Sequence, residues 1–440
     1  MISSATRQPR HIGVISLGCA KTLVDSEELI RQLEFNEFQV TFEPATGLLL
    51  DAVIINTCGF IADAREESVQ TILEYTQAKN RGEVRQLIVM GCLAQRYRQE
   101  LKQEIPEADA IFGVDQIPEI VRFLDGESRY PLFPSRRLTT PSHYAYLKIA
   151  EGCDRTCSFC AIPSIRGQHR SRSMEEIVSE AGSLRQQGVK ELILISQDTT
   201  YYGIDLYGRK EIATLMRRIA ETSEMQWIRL HYTHPHAFPH ELIDVMREYP
   251  TICKYIDIPL QHISDPLLKS MKRGIDSNGT RRLLDTIREK LPGVTIRTTF
   301  ITGYPGEKES HFRELCRFLM EMQFERVGIF GYSHEENTPA YSLRHTIPEK
   351  TILERKNELL TIQESISLNH NLNKVGSEMT VLIDRREGKF WIARSEGDSP
   401  EVDQEVLIPV EEAQHFSPGS FGRVIITGAE PFDLIARPGE

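Results

Sequence analysis

Apolar runs of strand length alternate with amphipathic stretches of helix length along most of this chain. That alternation restricts it to parallel α/β architecture. In the amino-terminal part, residues 12–18, 52–57 and 87–91 read as buried strands, with helical stretches from Val24 to Phe35 and from Ile61 to Lys79 between them. A small parallel α/β domain over residues 1–124 is expected. Residues 125–143 hold three prolines and many polar side chains, and read as a linker. Six further strand-like runs follow, at 144–150, 191–196, 226–231, 254–260, 294–301 and 326–332, most of them separated by amphipathic stretches such as 174–187 and 309–323. Repeated β/α units over residues 144–375 predict a partial (β/α) barrel of about six units, with ligands at the carboxyl ends of its strands. A long helical pattern from Glu349 to Lys374 stops at Gly376. Residues 376–440 then change to short alternating strands at 378–384, 389–394, 404–408 and 422–427, which predict a small antiparallel β-barrel. The fold class is α/β, in three parts.

A chain of 440 residues is long enough for about three domains. It is 40% hydrophobic and 26% charged, which fits a soluble globular protein. No apolar run approaches the ~18 residues of a membrane span. Met1 to Arg10 is polar and lacks the apolar region of a signal peptide. A cytoplasmic protein without membrane contact is expected. The net charge of −11 speaks against a generic nucleic-acid binder, which needs a basic surface. It fits a basic macromolecular partner, or none that is charged.

In a reducing compartment the eight cysteines are expected as metal ligands or catalytic thiols rather than disulfides. Cys153, Cys157 and Cys160 form C-x3-C-x2-C just after the first barrel strand. Three thiolates on one short loop can converge on one metal centre. An iron–sulfur cluster held by three thiolates keeps one iron open for a substrate or cofactor, whereas a pure electron carrier takes four. The alternative is a zinc loop whose fourth ligand comes from elsewhere; His169 is not far along the chain. Cys19, Cys58 and Cys92 are too far apart for a local motif, yet each directly follows an expected parallel strand (SLGC, NTCG, MGC). Such strand ends share one edge of an open sheet. Three thiols there can hold a second cluster; the alternative is three small buried cysteines. Cys253 and Cys316 lie in apolar contexts and read as core.

The central motif, with Phe159 before its last cysteine, resembles the radical S-adenosylmethionine (SAM) superfamily. The resemblance implies that SAM binds the open iron and is cleaved on reduction to a 5′-deoxyadenosyl radical. The segment Thr298 to Glu307 (TTFITGYPGE) resembles the superfamily's SAM-contact strand, with Gly303 and Gly306 allowing close approach; an ordinary strand-to-helix turn is the alternative. Gln197 and Asp198, and Gln261 with His262, follow the second and fourth barrel strands, where polar ligand contacts belong; a lone histidine there is more often a structural hydrogen-bonder.

All three parts together resemble the radical SAM methylthiotransferases, in which a three-cysteine domain precedes the SAM barrel and a TRAM domain closes the chain. The resemblance covers nearly the whole sequence. The strings SLGCAKTLVDSE (16–27), NTCGFI (56–61), GCLAQRY (91–97), LKIAEGCDRTCSFCAIPSIRG (147–167), IDIPLQH (256–262) and RTTFITGYPGE (297–307) resemble the branch that modifies an aspartate of the S-twelve protein of the small ribosomal subunit. Thr22 departs from the asparagine expected in that branch; it is not a thiol ligand. The resemblance implies two 4Fe-4S clusters. Cys19, Cys58 and Cys92 would hold the sulfur-donating one and Cys153, Cys157 and Cys160 the radical-generating one. Phe159, Gln197, Gln261, Gly303 and Gly306 would line the SAM site. It also implies an electron donor such as flavodoxin or ferredoxin and a sulfur source. Both clusters would face one cavity.

Sister branches act on adenosine in transfer RNA and share both cysteine triads, so charge must separate the substrates. From Gly376 onward six Lys and Arg face thirteen Asp and Glu, a balance of −7. An acidic barrel suits a basic ribosomal protein better than RNA, so no direct nucleic-acid substrate is expected; a solvated acidic surface without a partner is the alternative. A cluster-carrying electron-transfer protein is the competing reading of another class. The basic stretch Arg166, His169, Arg170 and Arg172 reads either as an anchor for the target carboxylate or as a solvated or domain-stabilising loop.

Overall fold

The computed structural model describes residues 10–126, 136–344 and 347–439. Met1 to Pro9 and residues 127–135 of the expected linker lie outside the described residues. The chain forms two compact units. The first spans Met1–Thr140, Glu151–Asp154 and Ala161–His169; the second spans Pro141–Ala150, Arg155–Cys160 and Arg170–Glu440.

The first unit is a five-stranded parallel sheet. Its strands are β1 (His11–Ser16), β2 (Gln39–Phe42), β3 (Leu50–Thr57), β4 (Val84–Gly91) and β5 (Ala110–Ile111), in the order β2-β1-β3-β4-β5. Its helices include α1 (Ala20–Phe35), α2 (Ala62–Asn80), α3 (Cys92–Arg96), α4 (Arg98–Glu104), α5 (Ile117–Phe123) and, from the later segment, α6 (Ile162–Arg166). Alternate strand residues go to opposite faces, as the two-residue period requires. Ile12, Val14, Ile54 and Ile88 pack with Leu29, Ile30 and Ile120 on one face. Ile15, Val53, Ile55, Leu87 and Val89 pack with Ile72 and Leu93 on the other. The expected strands and helices are all present. The short β2 and β5 and helices α3 to α5 are additions that the sequence pattern did not single out. Residues 136–139 pack on α1: the Arg136–Glu27 ion pair (3.4 Å) is almost fully buried, and the Thr139 N–H donates to Glu27 at 2.7 Å.

The second unit begins with β6 (Tyr144–Lys148). After the short β7 (Ala150–Glu151) and β8 (Arg170–Ser171) come β9 (Glu191–Ile195), β10 (Trp227–Leu230), β11 (Tyr255–Asp257), β12 (Thr295–Thr302) and β13 (Arg326–Gly331). β6, β9 and β10 form one parallel sheet and β11, β12 and β13 another, linked by a bridge between Ile228 and Ile252. These are the six barrel strands expected from the apolar runs. The long helix spans Glu349–Leu372, and Gly376 follows in the left-handed region at φ +86°.

The C-terminal barrel is closed, in the order β14 (Glu378–Glu387), β15 (Phe390–Ser395), β16 (Glu405–Pro409), β18 (Asp433–Pro438) and β17 (Phe421–Ala429). It has one strand more than the sequence pattern suggests, and β16 pairs with β18 in parallel while the other ladders are antiparallel. The loop after β15 reaches the base of the larger barrel. Asp398 accepts from Arg326, Asp403 from Tyr255 (2.7 Å), and Ser399 Oγ lies 2.8 Å from His231 Nε2.

Candidate functional site

Strand register brings the three amino-terminal cysteines to one edge. Ser16 is level with Asn56, and Asn56 with Met90, in adjacent parallel strands. Cys19 caps α1, Cys58 directly follows β3, and Cys92 opens α3. The loops between them are pressed together. A Cβ on Gly18, which sits at φ +100°, would lie 3.1 Å from Cys58 Sγ, and one on Gly59 would lie 2.7 Å from the Leu93 backbone. Only glycine permits that approach. Thr22, in place of the expected Asn, donates its hydroxyl to the Cys19 carbonyl at 2.6 Å and ties the first turn of α1 to the loop.

The electrostatics differ between the three thiols. Loss of water contact opposes ionisation of Cys19, but Lys21, the N–H groups of Thr22 and Lys21, and Arg166 outweigh it and hold its pKa below the ordinary value. Burial raises Cys58, and pushes Cys92 up to about 11 against the opposing charge of Arg166. Among the described residues Arg166 acts on all three. It is buried, and its Nη1 donates to Asp25 at 2.8 Å and to Glu151 at 3.0 Å. It is therefore neither solvated nor open to a substrate carboxylate. In the same stretch His169 is buried and its N–H donates to Asp154; Arg172 pairs with Glu180 and donates to the Lys148 carbonyl; Arg170 is exposed.

The central cysteines lie on the loop after β7. Cys153 is half-buried, and its N–H donates to the Gly167 carbonyl at 3.0 Å within the first unit. In the second unit Cys157 is buried and Cys160 half-buried. Arg155 anchors the loop to the end of β9 through Asp198 (2.6 Å). The Ser158 hydroxyl donates to the Ser270 carbonyl and lies 2.8 Å from Tyr304 Oη. Phe159 packs against Leu267, Met271, Tyr304, Tyr332 and Ala340. Cys157 Sγ accepts from Arg273 Nη1 at 3.2 Å and lies 4.0 Å from His234 Nε2. Burial, with the charges of Arg273 and Arg155, holds His234 far below its ordinary pKa, so the ring is neutral.

Gln197 lies two residues beyond β9 and is half-buried. Gln261 runs on from β11 alongside β12, bridging Phe300, at φ +75°. A non-glycine residue held there is strained, which is common at functional positions. His262 is fully buried with both ring nitrogens engaged: Nε2 faces Glu307 at 3.2 Å, and Nδ1 accepts from Ile263 and Ser264. It is a structural hydrogen-bonder. Gly303 (φ +84°) donates to Glu307 at 2.7 Å and packs on Ile352, where a Cβ would clash at 2.5 Å; Gly306 (φ +89°) has open space around it. Cys253 and Cys316 are buried in the core.

Among the described residues no group of three or more His, Cys, Asp or Glu is close enough to hold a single metal ion. Three thiols brought to one sheet edge, beside one buried Arg, are a donor set that suits an iron–sulfur cluster. Sequence reasoning missed Arg155, Arg166 as a buried cation, His234 and Arg273; only Arg155, inside the cysteine motif, carries a local signal.

Three family profiles match the chain. They are "Uncharacterized protein family UPF0004" over residues 11–113, the Radical SAM superfamily over 147–319 and the TRAM domain over 375–438. Among solved structures, the radical S-adenosylmethionine methyltransferase TsrM from Kitasatospora setae superposes with a TM-score of 0.56 at 13% identity, covering 88% of this chain and 77% of its own; it shares the fold. Ribosomal protein uS12 methylthiotransferase RimO of Porphyromonas gingivalis is 51% identical over 428 residues, 97% of this chain and 98% of its own. RimO of Cytophaga hutchinsonii is 47% identical over 427 residues, 97% of each chain. At that identity over that length, the chain belongs to the RimO family of radical SAM methylthiotransferases.

Proposed function

We propose that the protein transfers a methylthio group to the β-carbon of an aspartate of ribosomal protein uS12. The observation that carries the chemistry is the presence of two three-cysteine sets, one at a register-matched sheet edge and one on the loop that follows the first barrel strand; the substrate rests on the full-length similarity to uS12 methylthiotransferases. When bound, SAM and two 4Fe-4S clusters would supply the methyl group and the radical chemistry that an unactivated β-carbon requires, with the sulfur coming from a separate source.

The chain's own residues bind and orient these groups. Cys19, Cys58 and Cys92 would hold the sulfur-donating cluster, and the buried Arg166 offsets the charge that thiolates there bring. Cys153, Cys157 and Cys160 hold the radical-generating cluster, with Arg155 and Ser158 fixing their loop. Phe159, Gln197, Gln261, Gly303 and Gly306 line the SAM site. Gln261 sits there at a strained backbone angle, and Gly306 contributes a backbone with free approach. An electron donor such as flavodoxin or ferredoxin and a sulfur source complete the reaction, in the cytoplasm. No described helix is long and apolar enough to cross a membrane.

Acidic charge on the C-terminal barrel favours the basic ribosomal protein over transfer RNA. Asp384, Asp398 and Asp403 are used inside the second unit, so the attracting surface rests on exposed residues such as Glu378, Glu387, Glu411, Glu412 and Glu430. The test offers uS12 and unmodified transfer RNA separately to the anaerobically reconstituted protein with SAM, reductant and a sulfur source. Mass spectrometry then looks for one added methylthio group. Modification of the aspartate is expected; modification of the RNA alone overturns the substrate.

A further inference from the structure

Cys157 differs from an ordinary cluster ligand in what surrounds its sulfur. Arg273 Nη1 donates to Sγ at 3.2 Å, and Arg273 Nη2 donates to the Pro259 carbonyl at 2.5 Å, which fixes the plane of the guanidinium. Arg273 is only 4% exposed. A buried guanidinium aimed at a thiol is a charge-assisted donor.

The second neighbour is His234, whose tautomer follows from its other contact. The His236 N–H donates to His234 Nδ1 at 3.1 Å. A ring nitrogen that accepts carries no proton, so in the neutral ring the proton sits on Nε2. Nε2 is the atom that faces Cys157 Sγ, at 4.0 Å. Two donors from separate loops, one of them permanently charged, therefore converge on one sulfur.

We propose that Arg273 and His234 are positioning residues for Cys157 that raise the reduction potential of the cluster it ligates. The inference rests on the reading of Cys157 as a ligand. Reduction delivers one electron from the donor protein to the cluster and makes or breaks no bond. Donors on a ligating sulfur and a nearby positive charge stabilise the added negative charge, so both favour the reduced form. A purely structural Arg273 would hold the Pro259 carbonyl and leave the potential alone.

The test uses the full chain with Cys19, Cys58 and Cys92 replaced by Ala, so that only the central set loads. Iron content is measured after anaerobic reconstitution, and the midpoint potential is followed by electron paramagnetic resonance. In this background R273M is expected to lower the equilibrium constant for reduction about tenfold, a shift of ~59 mV to more negative potential for one electron. R273K, which keeps the charge, shifts less. H234L shifts in the same direction by less than R273M, and H234Q, which keeps an N–H donor, restores the parent value. Full iron content with unchanged potentials in both R273M and H234L overturns the proposal. Where R273M fails to fold, the H234L and H234Q pair decides in the same way. A parent that binds no iron overturns the ligand assignment itself, which is a separate failure.

Discussion

Arg394 of the C-terminal barrel lies 2.8 Å from Glu191, the first residue of β9, and both side chains are almost wholly buried. The same guanidinium donates to Asp384 at 2.6 Å, and Asp384 in turn meets His143 at 2.8 Å. This cluster, with the Arg326–Asp398 pair, fixes the C-terminal barrel to the base of the larger one. R394A leaves two buried carboxylates without that cation. It is expected to cost about 3–5 kcal/mol, read as a lowered urea midpoint. A surface pair such as Arg313–Glu309 should cost under ~1 kcal/mol by the same measurement.

Acid should loosen this junction. Burial works against ionisation of Asp384 and Asp398. Hydrogen bonds and charge from His143 and Arg394, and from Arg326 and Lys374, outweigh it and hold both below the ordinary carboxylate range. The unfolded chain then takes up protons at higher pH than the folded one. The stabilisation is present above about pH 4 and is lost as pH falls through the folded values. Urea midpoints from pH 6 down to pH 3 should fall, and D398N should flatten that fall. Asp403, raised by burial against the charge of Arg297, works in the opposite sense and softens the slope.

The two cysteine sets should separate by function. C157A is expected to abolish conversion of SAM to 5′-deoxyadenosine, and C58A to leave some conversion while stopping methylthio transfer. Chromatography of the nucleoside and mass spectrometry of uS12 read the two steps. SAM cleavage surviving in C157A would remove the central assignment.

Gly18 offers a test that touches no thiol. G18A places a Cβ 2.8 Å from Cys58 Cβ at a backbone angle that costs a non-glycine residue roughly 1–2 kcal/mol. Iron loading of the amino-terminal set should fall. G306A carries the same backbone penalty in open space and should leave that loading unchanged.

The barrel strands were legible because their apolar runs are long and regularly spaced. Strand β18, with only Leu434 and Ala436 buried and a proline at its end, has no such run. That Cys19, Cys58 and Cys92 share one sheet edge was legible because each lies within three residues of the end of a strand whose register with its neighbour follows from parallel pairing. The cations of the site were not, because their partners lie far away in sequence. Arg155 meets Asp198 43 residues on, Arg273 meets Cys157 across 116, and Arg166 meets Asp25 across 141. A charge count likewise cannot tell Asp398, fully buried on Arg326, from Glu411 in water.

That longest separation bears on how the protein is made. The first unit is not contiguous: it needs Ala161–His169, which emerge from the ribosome after the first strand of the second unit. A nascent chain paused at Thr140 has its five strands and α1, but the Asp25 carboxylate still lacks the Arg166 guanidinium. Cys19 and Cys92 lack its charge as well. The amino-terminal unit therefore matures only when synthesis has passed residue 169, with the central cysteine loop already translated.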